Sequence, residues 1–191
     1  GVTGASGGVG RALAGGFGDE GAGGVVPATS RASLGGTLER LRRAGAEGHG
    51  IALDLSDPAS VQAAAAEALA VLGRVDALVN NASLLGVRQP LAEYPLDEWR
   101  RVIEVNLTGT YAFTRALLPG LADDGSIVNV TSGAAGRAGW GAYAVSKLGL
   151  EGLTTMLREE LADRRIRCVA VDPGAVRTRM RAAAYPGEDP A

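Results

Sequence analysis

Short apolar runs along the chain alternate with longer segments in which apolar residues recur every three or four positions. The short runs are rich in β-branched residues and are followed by polar or glycine-containing stretches, which is the pattern of buried strands. Five strands are predicted on this basis: Val25-Val26, Ile51-Ala52-Leu53, Ala77-Leu78-Val79, Ser126-Ile127-Val128-Asn129-Val130 and Arg167-Cys168-Val169-Ala170-Val171.

The longer segments predict helices between these strands. One helix is expected from Val61 to Leu72, with Asp57-Pro58 before it as a typical start signal. Two longer helices are expected from about Asp97 to Leu118 and from about Trp140 to Asp163. Such alternation is typical of an α/β fold in which a mostly parallel sheet carries helices on both faces.

The length and the two ends of the chain bear on its domain organisation. The 191 residues, 46% of them hydrophobic, are enough for one buried core, and we expect a single domain over residues 1–191. Gly1-Val2-Thr3 leads directly into a glycine-rich turn, so the strand expected before that turn is almost absent. Tyr185 to Ala191 is a polar loop with no closing strand. We interpret the chain as a fragment that lacks its first strand and its C-terminal part.

Charge and composition narrow the classes of function. The net charge of −2 gives no basic surface for nucleic acid and no polybasic patch for a membrane. No apolar run approaches the ~20 residues that cross a bilayer. The N-terminus also lacks a signal-peptide pattern, so a cytoplasmic location is expected. His49 has no second His or Cys nearby, and Cys168 is the only cysteine, so no metal site is expected.

The first candidate for chemistry is the glycine-rich segment Thr3-Gly4-Ala5-Ser6-Gly7-Gly8-Val9-Gly10, which runs into a helical sequence. Glycines permit a tight turn and close approach of a diphosphate, and the helix N-terminus offers free N–H groups. The spacing differs from the widespread G-x-G-x-x-G pattern. Taken alone, the segment could also be a flexible glycine-rich terminus.

The second candidate is Tyr143-Ala144-Val145-Ser146-Lys147 at the start of the last long helix. The four-residue spacing puts Tyr143 and Lys147 on one face, where a cation can lower the pKa of a phenol and make it a usable acid or base. Lys147 is the only lysine among nineteen basic residues, which makes its position conspicuous. Alone, such a pair usually belongs to an ordinary surface helix.

With both motifs in this order between strands and helices, the sequence resembles the short-chain dehydrogenase/reductase family over essentially its whole length. Further segments match at the expected places, although each could singly be a turn, a cap or an ordinary polar residue. They are Asp54-Leu55 after the second predicted strand, Asn80-Asn81-Ala82 after the third, Asn106 on the long helix, Thr131-Ser132 after the fourth strand, and Pro173-Gly174-Ala175-Val176-Arg177-Thr178 after the fifth.

The resemblance implies a Rossmann-like, three-layer α/β/α fold and an NAD(P)-dependent oxidoreductase acting on a carbonyl or alcohol substrate. Tyr143 would be the general acid or base, Lys147 would lower its pKa and bind the nicotinamide ribose, Ser132 would orient the substrate oxygen, and Asn106 would hold a water linked to Lys147. The residues implied in cofactor binding are Gly4, Ser6, Gly8, Val9, Gly10, Arg31, Asp54, Leu55, Asn80, Ala82, Tyr143, Lys147, Pro173, Gly174, Val176 and Thr178.

The end of the first predicted strand bears on the choice of cofactor. An NAD enzyme usually has an acidic residue there for the ribose 2′-hydroxyl, whereas an arginine accommodates the NADP phosphate. Thr29 occupies the expected acidic position and Arg31 follows two residues on, so NADP(H) is favoured over NAD(H).

One departure from the family pattern concerns the serine. The connection from Ser132 to Tyr143 is about two residues shorter than is usual in the family, and Thr131 is a rival for the serine's place. Since adjacent strand residues point to opposite faces, only one of the two can face the tyrosine. We expect Ser132 to face Tyr143 and Thr131 to point away.

Two other functions are possible on this fold. A non-catalytic NAD(P)-binding regulator on the same fold and a non-reductive relative such as an epimerase remain open, since a fold does not establish a function.

Apolar residues lie on more than one side of two helices, which together with the resemblance implies a homodimer or homotetramer. These residues are Ile103, Leu107 and Tyr111 on one helix and Leu150, Leu153 and Leu157 on the other.

Overall fold

The structure, a computed structural model, describes residues 1–188; the last three residues of the predicted C-terminal loop lie outside that range. The helices are α1 (Gly8–Asp19), α2 (Gly35–Arg43), α3 (Pro58–Leu72), α4 (Leu96–Ile103), α5 (Thr110–Leu117), α6 (Gly141–Glu160) and α7 (Arg179–Ala184). The strands are β1 (Gly24–Ala28), β2 (Gly48–Ala52), β3 (Val75–Asn80), β4 (Leu121–Val130) and β5 (Arg167–Val171). Short 3₁₀ turns lie at Arg31–Leu34, Leu91–Glu93, Leu118–Gly120 and Ala162–Arg164.

The strands form two parallel groups. β1 pairs with β2 from Gly24 opposite Gly48 to Ala28 opposite Ala52. β4 lies between β3 and β5, and its register with β3 shifts between Val75 and Ala77. Because all these pairs are parallel, each connection crosses over the sheet, and helices cover its faces.

Residues 1–4 join the two groups of strands. Val2 donates to the carbonyl of Val25 on β1, and Thr3 donates to that of Val79 on β3. Gly4 donates to Pro27, and Val79 donates to Gly1. This short segment therefore lies at the centre of the sheet. The order of the sheet is β2, β1, residues 1–4, β3, β4 and β5.

The core lies in two layers because successive strand residues face opposite sides. Val25 packs with Leu78 and Phe113 on the side covered by α3 and α5, whereas the adjacent Val26 packs with Ala14 and other apolar residues of α1 and α2. The other members of the first layer are Ile51, Leu53, Leu55, Val61, Ala64, Ala65, Ala68 and Leu117. α6 covers β4 and β5 through Leu157, Ile127 and Cys168.

The long helix predicted after residue 97 contains an irregularity. Between α4 and α5, Glu104–Gly109 form a π-helix, so the chain is helical throughout but locally wider. A Cβ on Gly109 would collide with the backbone carbonyl of Leu55, so this stretch packs directly on the loop that follows β2. Single π turns inside helices are frequent at functional sites.

The α/β fold expected from the sequence is confirmed, and each of the five predicted strands lies within or overlaps an observed one. The start of α3 is also as predicted, since the Asp57 carboxylate accepts a hydrogen bond from the Ala59 N–H at 2.9 Å. The sequence did not predict α2 or the π-helix. α2 begins with two glycines, and the π-helix lies in a sequence that looks like ordinary helix. Packing against the rest of the protein decides both features.

Two kinds of feature are absent from residues 1–188. None of the helices there combines the length and hydropathy of a membrane span. No group of three or more His, Cys, Asp or Glu side chains in the same range is arranged to hold a metal ion.

Candidate functional site

The carboxyl ends of the strands open into a cleft of about 590 Å³. Ligand sites of doubly wound sheets form at this edge. Most of the residues expected at the site line it: Gly4, Ser6, Gly8, Val9, Asp54, Leu55, Ala82, Ser132, Tyr143, Lys147, Pro173, Gly174, Val176 and Thr178. Gly10, Arg31, Asn80 and Asn106 do not, and their contacts explain why.

The glycine-rich turn at one end of the cleft has no room for side chains. Gly4 has a φ of +66°, and a Cβ on it would lie 2.9 Å from the Cα of Ala82. Gly10 lies behind the turn, where a Cβ would collide with the carbonyl oxygen of Gly4. Thr3 fixes the turn, because its Oγ1 accepts hydrogen bonds from the N–H groups of Asn81 and Ala82. The N-terminus of α1 therefore meets the cleft as bare backbone, which suits a phosphate group.

Tyr143, Ser132 and Lys147 converge at the other end of the cleft. Tyr143 and Ser132 both line this end, and the Ser132 hydroxyl lies close enough to the phenol to act on its pKa. Lys147 is buried, its Nζ donates to the carbonyl of Val130 at 2.8 Å, and it lies 5.6 Å from the centre of the Tyr143 ring. Since an ammonium group has three donors, two remain for a group bound in the cleft.

Thr131 turns away from the tyrosine. Its Oγ1 donates to Oε1 of Glu151 at 2.8 Å, and its N–H donates to the carbonyl of Val171. The expectation that Ser132 faces Tyr143 is confirmed, because the strand and the helix hold their positions although the connection between them is short.

Burial sets the pKa values of the two key groups. It raises the pKa of the Tyr143 phenol; the hydrogen bond to Ser132 opposes this rise, and the charge of Asp172 adds to it. Burial lowers the pKa of Lys147 from 10.5 to about 8. Removal of the phenol from water is the largest of these effects. The expectation that Lys147 lowers the pKa of Tyr143 stays a prediction.

Asn106 lies in the π-helix, fully buried behind the cleft. Its Oδ1 accepts from the N–H of Leu84 at 2.7 Å, and its Nδ2 donates to the Leu84 carbonyl at 2.8 Å and to Oγ of Ser146 at 3.0 Å. Both amide hydrogens are thus engaged within the protein, so the water that the resemblance implied would donate to an oxygen of Asn106, and this role stays a prediction. The Asn106 side chain also ties the segment after β3 to α6, between Tyr143 and Lys147.

Asn80 was expected to bind a cofactor, and the structure corrects this expectation. Its side chain is buried and donates to Oγ1 of Thr114 at 2.9 Å and to Oδ1 of Asn129 at 2.8 Å. Asn129 in turn donates to Oγ1 of Thr154. This chain of bonds connects β3 and β4 to α5 and α6, since a buried amide must find partners within the protein. The neighbouring Asn81 lines the cleft in its place.

Arg31 also departs from expectation. Its Nη2 lies 2.7 Å from both carboxylate oxygens of Glu67 on α3, and it does not line the cleft. Glu67 lies 3.1 Å from the His49 ring as well. Thr29 lines the cleft and brings no negative charge to it. The Asp54 carboxylate accepts from the N–H and hydroxyl of Ser56, and these bonds lower its pKa.

The loop after β5 closes one side of the cleft. Gly174 has a φ of +70°, and its N–H donates to Oδ1 of Asp172 at 2.9 Å. Thr178 accepts a hydrogen bond from the N–H of Arg181 and so caps α7. The loop after β5 and α7 therefore lie on the side of the cleft that faces the glycine-rich segment.

The sequence analysis missed several residues of the cleft and an arginine, Arg88, that packs behind them. Arg88 lies over the rings of Trp140 and Tyr185, with its guanidinium carbon 4.2 and 5.1 Å from their centres. This stack adjoins Tyr143, whose ring centre is 6.0 Å from that of Trp140. Leu84, Leu85, Met180 and Ala184 complete an apolar wall. Only the placement of Trp140 before a predicted helix could have signalled this wall.

The whole described site falls within the part of the chain that matches a known family. Residues 1–189 match the profile of the family described as short chain dehydrogenase. The chain is 45% identical over 121 residues to the uncharacterized oxidoreductase YciK of Escherichia coli (strain K12), a match that covers 61% of the chain and 48% of the relative. The chain thus spans about half the length of this relative.

Two other proteins match over nearly the whole chain. The 3-oxoacyl-[acyl-carrier-protein] reductase FabG of Pseudomonas aeruginosa (strain ATCC 15692) is 39% identical over 183 residues, which cover 94% of the chain and 74% of FabG. A solved structure from Shigella flexneri 2a str. 301, assigned to the short chain dehydrogenases and complexed with NADP, superposes with a TM-score of 0.93 at 36% identity. That match covers 99% of this chain and 82% of the other.

Proposed function

We propose an activity for this chain, which belongs to the short-chain dehydrogenase family. The protein is an NAD(P)-dependent oxidoreductase that transfers hydride between a nicotinamide cofactor and a small-molecule carbonyl or alcohol. One observation carries the proposal: Tyr143, Ser132 and the buried Lys147 line the same end of a cleft that reaches the glycine-rich turn.

The residues of the cleft fit a dinucleotide. Glycine at positions 4 and 10 lets the turn pack tightly against its neighbours, and Gly4, Ser6, Gly8 and Val9 line the cleft, so a diphosphate can approach the N-terminus of α1. Two donors of Lys147 remain for ribose hydroxyls. Asp54, Leu55 and Ala82 are proposed to line the adenosine half, and Pro173, Gly174 and Val176 the nicotinamide half.

The bound nicotinamide supplies or accepts the hydride, and the chain's own residues handle the proton. In reduction, the Tyr143 hydroxyl donates its proton to the substrate oxygen; in oxidation, Tyr143 removes that proton. The raised pKa of Tyr143 keeps the phenol protonated near neutral pH, which is the form that reduction needs. The Ser132 hydroxyl orients the same oxygen. Lys147, with a pKa of about 8, is mostly an ammonium at neutral pH and binds the ribose.

NADP(H) is proposed as the preferred cofactor. No carboxylate stands at Thr29 to bind a ribose 2′-hydroxyl, and Arg31 follows at the start of the next turn. The pairing of Arg31 with Glu67 is exposed to solvent, and such pairs are worth only about 0–1 kcal/mol, so a 2′-phosphate can compete for the guanidinium. A tighter Kd for NADPH than for NADH is the expected result.

We propose that the chain forms a homodimer or homotetramer, through a revised set of exposed apolar residues. Leu150 and Leu157 pack inside the chain, and Leu107 packs against Gly149, so these residues form no second face. Tyr111, one of the residues expected on that face, is exposed on α5, and Val145, Leu148 and Met156 are exposed on α6. Light scattering at micromolar concentration should give a mass of two or four subunits.

The test of the activity is an assay of NADPH and NADH oxidation with a panel of aldehydes and ketones. We expect turnover with at least one small carbonyl compound. Binding of cofactor without turnover across a broad panel would instead favour a regulator. Absence of binding to either dinucleotide would contradict the proposal altogether.

A further inference from the structure

The first turn of α7 lies directly over the glycine-rich turn, although about 170 residues separate the two in sequence. A Cβ on Gly8 would lie 3.1 Å from Cγ2 of Thr178. A Cβ on Gly7 would lie 3.4 Å from Nη2 of Arg179. One guanidinium nitrogen of the exposed Arg179 thus lies close to Gly7, the residue that precedes α1.

Arg179 differs from the other cations of the cleft. Of the described residues that line it, four are cationic: Arg101, Lys147, Arg179 and Arg181. Arg101 forms two bonds with Glu98, Arg181 is paired with Glu188, and Lys147 is bonded to Val130 at the opposite end. Arg179 forms no hydrogen bond or ion pair within residues 1–188.

We propose that Arg179 binds the diphosphate bridge of the dinucleotide, opposite the N-terminus of α1. This inference rests on the proposed function. The helix terminus contributes only partial charge, roughly half an elementary charge, whereas a diphosphate carries a full negative charge on each phosphate. A guanidinium matches phosphate oxygens with paired donors. The glycine-rich turn and Arg179 together would hold the bridge from two sides.

The position of Arg179 separates this role from the binding of an acidic substrate. Substrate oxygen must reach Tyr143 and Ser132, at the end of the cleft where Lys147 lies. Gly7 lies at the other end, beside the turn that receives phosphate. The nearness of Nη2 to Gly7 therefore favours the cofactor over the substrate.

The experiment compares wild type with Arg179→Gln by calorimetric titration of NADPH, ADP-ribose and adenosine 2′-monophosphate. ADP-ribose contains the diphosphate and the monophosphate does not. We expect Arg179→Gln to weaken NADPH and ADP-ribose by about tenfold, as for loss of a charged hydrogen bond, and to leave the monophosphate unchanged. The control is Arg167→Gln, which removes an exposed arginine at the start of β5, the strand end opposite the cleft; it should bind all three ligands like wild type.

The remaining outcomes each overturn the inference in a distinct way. Equal affinities of wild type and Arg179→Gln for NADPH would show that the guanidinium does not touch the cofactor. If Arg179→Gln also weakened adenosine 2′-monophosphate by the same factor, the substitution would act through the overall charge of the site and not through the diphosphate. An increase in substrate KM with unchanged cofactor affinity would assign Arg179 to the substrate. Wild type that binds no dinucleotide would overturn the proposed function and this inference together.

Discussion

The two ends of the proposed cofactor site are held in different ways. At the Tyr143 end, inside the cleft, Lys147 is 2% exposed and donates to a backbone carbonyl. At the Arg31 end, which does not line the cleft, the Arg31 side chain is 59% exposed and pairs with Glu67 on the surface of α3. Buried bonds define the first arrangement, whereas a solvated ion pair defines the second.

The difference separates chemistry from cofactor choice. A buried polar group that loses its partner costs about 1–3 kcal/mol, so the Tyr143 end is fixed before any ligand arrives. An exposed ion pair is worth about 0–1 kcal/mol, so the Arg31 end can rearrange around a ligand. Substitutions at the Tyr143 end should therefore have large effects on turnover. Substitutions at the Arg31 end should have small effects on cofactor affinity.

The largest effect is expected for Lys147→Arg. A planar guanidinium is bulkier than an ammonium and cannot take its place in a fully buried position. Turnover should fall by about 10²–10⁴-fold, the range of acid–base contributions. Lys147→Met, of similar length and without charge, should show the same loss, and melting curves would establish that both variants fold. Near-normal turnover of a folded Lys147→Arg would mean that the lysine has only a structural role.

Ser132→Ala should follow with a loss of roughly 10²-fold in turnover, by analogy with the removal of a positioned donor to the reacting oxygen. The matched control is Thr131→Ala. Loss of its bond to Glu151 should lower the free energy of unfolding by about 1 kcal/mol and leave turnover nearly unchanged. The reverse pattern, with Thr131→Ala inactive and Ser132→Ala active, would disprove the assignment of the serine.

A smaller effect is expected at the Arg31 end. Arg31→Gln should weaken NADPH by about tenfold or less and leave NADH unchanged, since only the former carries a 2′-phosphate. Glu67→Gln should tighten NADPH, because it releases Arg31 from its partner. Fluorescence titration of both cofactors measures these changes. Equal losses for NADH and NADPH would place Arg31 outside the 2′-phosphate site.

The subtlest effect is a shift in pH dependence. The negative charge of Asp172 raises the pKa of Tyr143, so Asp172→Asn should lower that pKa. In alcohol oxidation Tyr143 must accept a proton, and the rate rises with pH through its apparent pKa. The rising limb should therefore move to lower pH in Asp172→Asn and stay in place in the exposed Asp163→Asn. A shift to higher pH would contradict the assignment.

Burial explains how much of the molecule could be predicted from sequence. The strands and the long helices were predictable because buried apolar residues recur with the period of each element. The Tyr143 and Lys147 pair was predictable because residues four apart on a helix share a face. Ser132 followed from the alternation of side chains along a strand.

The features that were missed depend on contacts between distant segments. The buried role of Asn80 requires Thr114 and Asn129 from two other elements, which no local pattern shows. The direction of the Tyr143 pKa depends on how deeply the phenol lies in the folded protein. Arg31 is exposed, so packing did not decide whether it faces the cleft or Glu67.

The central claim is that Tyr143 moves the proton in a cleft that binds a dinucleotide. Its most direct test is Tyr143→Phe, measured for NADPH affinity by titration and for turnover with the best carbonyl substrate of the panel. The account predicts an unchanged Kd and a fall in kcat of about 10³-fold, because the ring remains and only the hydroxyl is lost. A kcat close to that of wild type would contradict it.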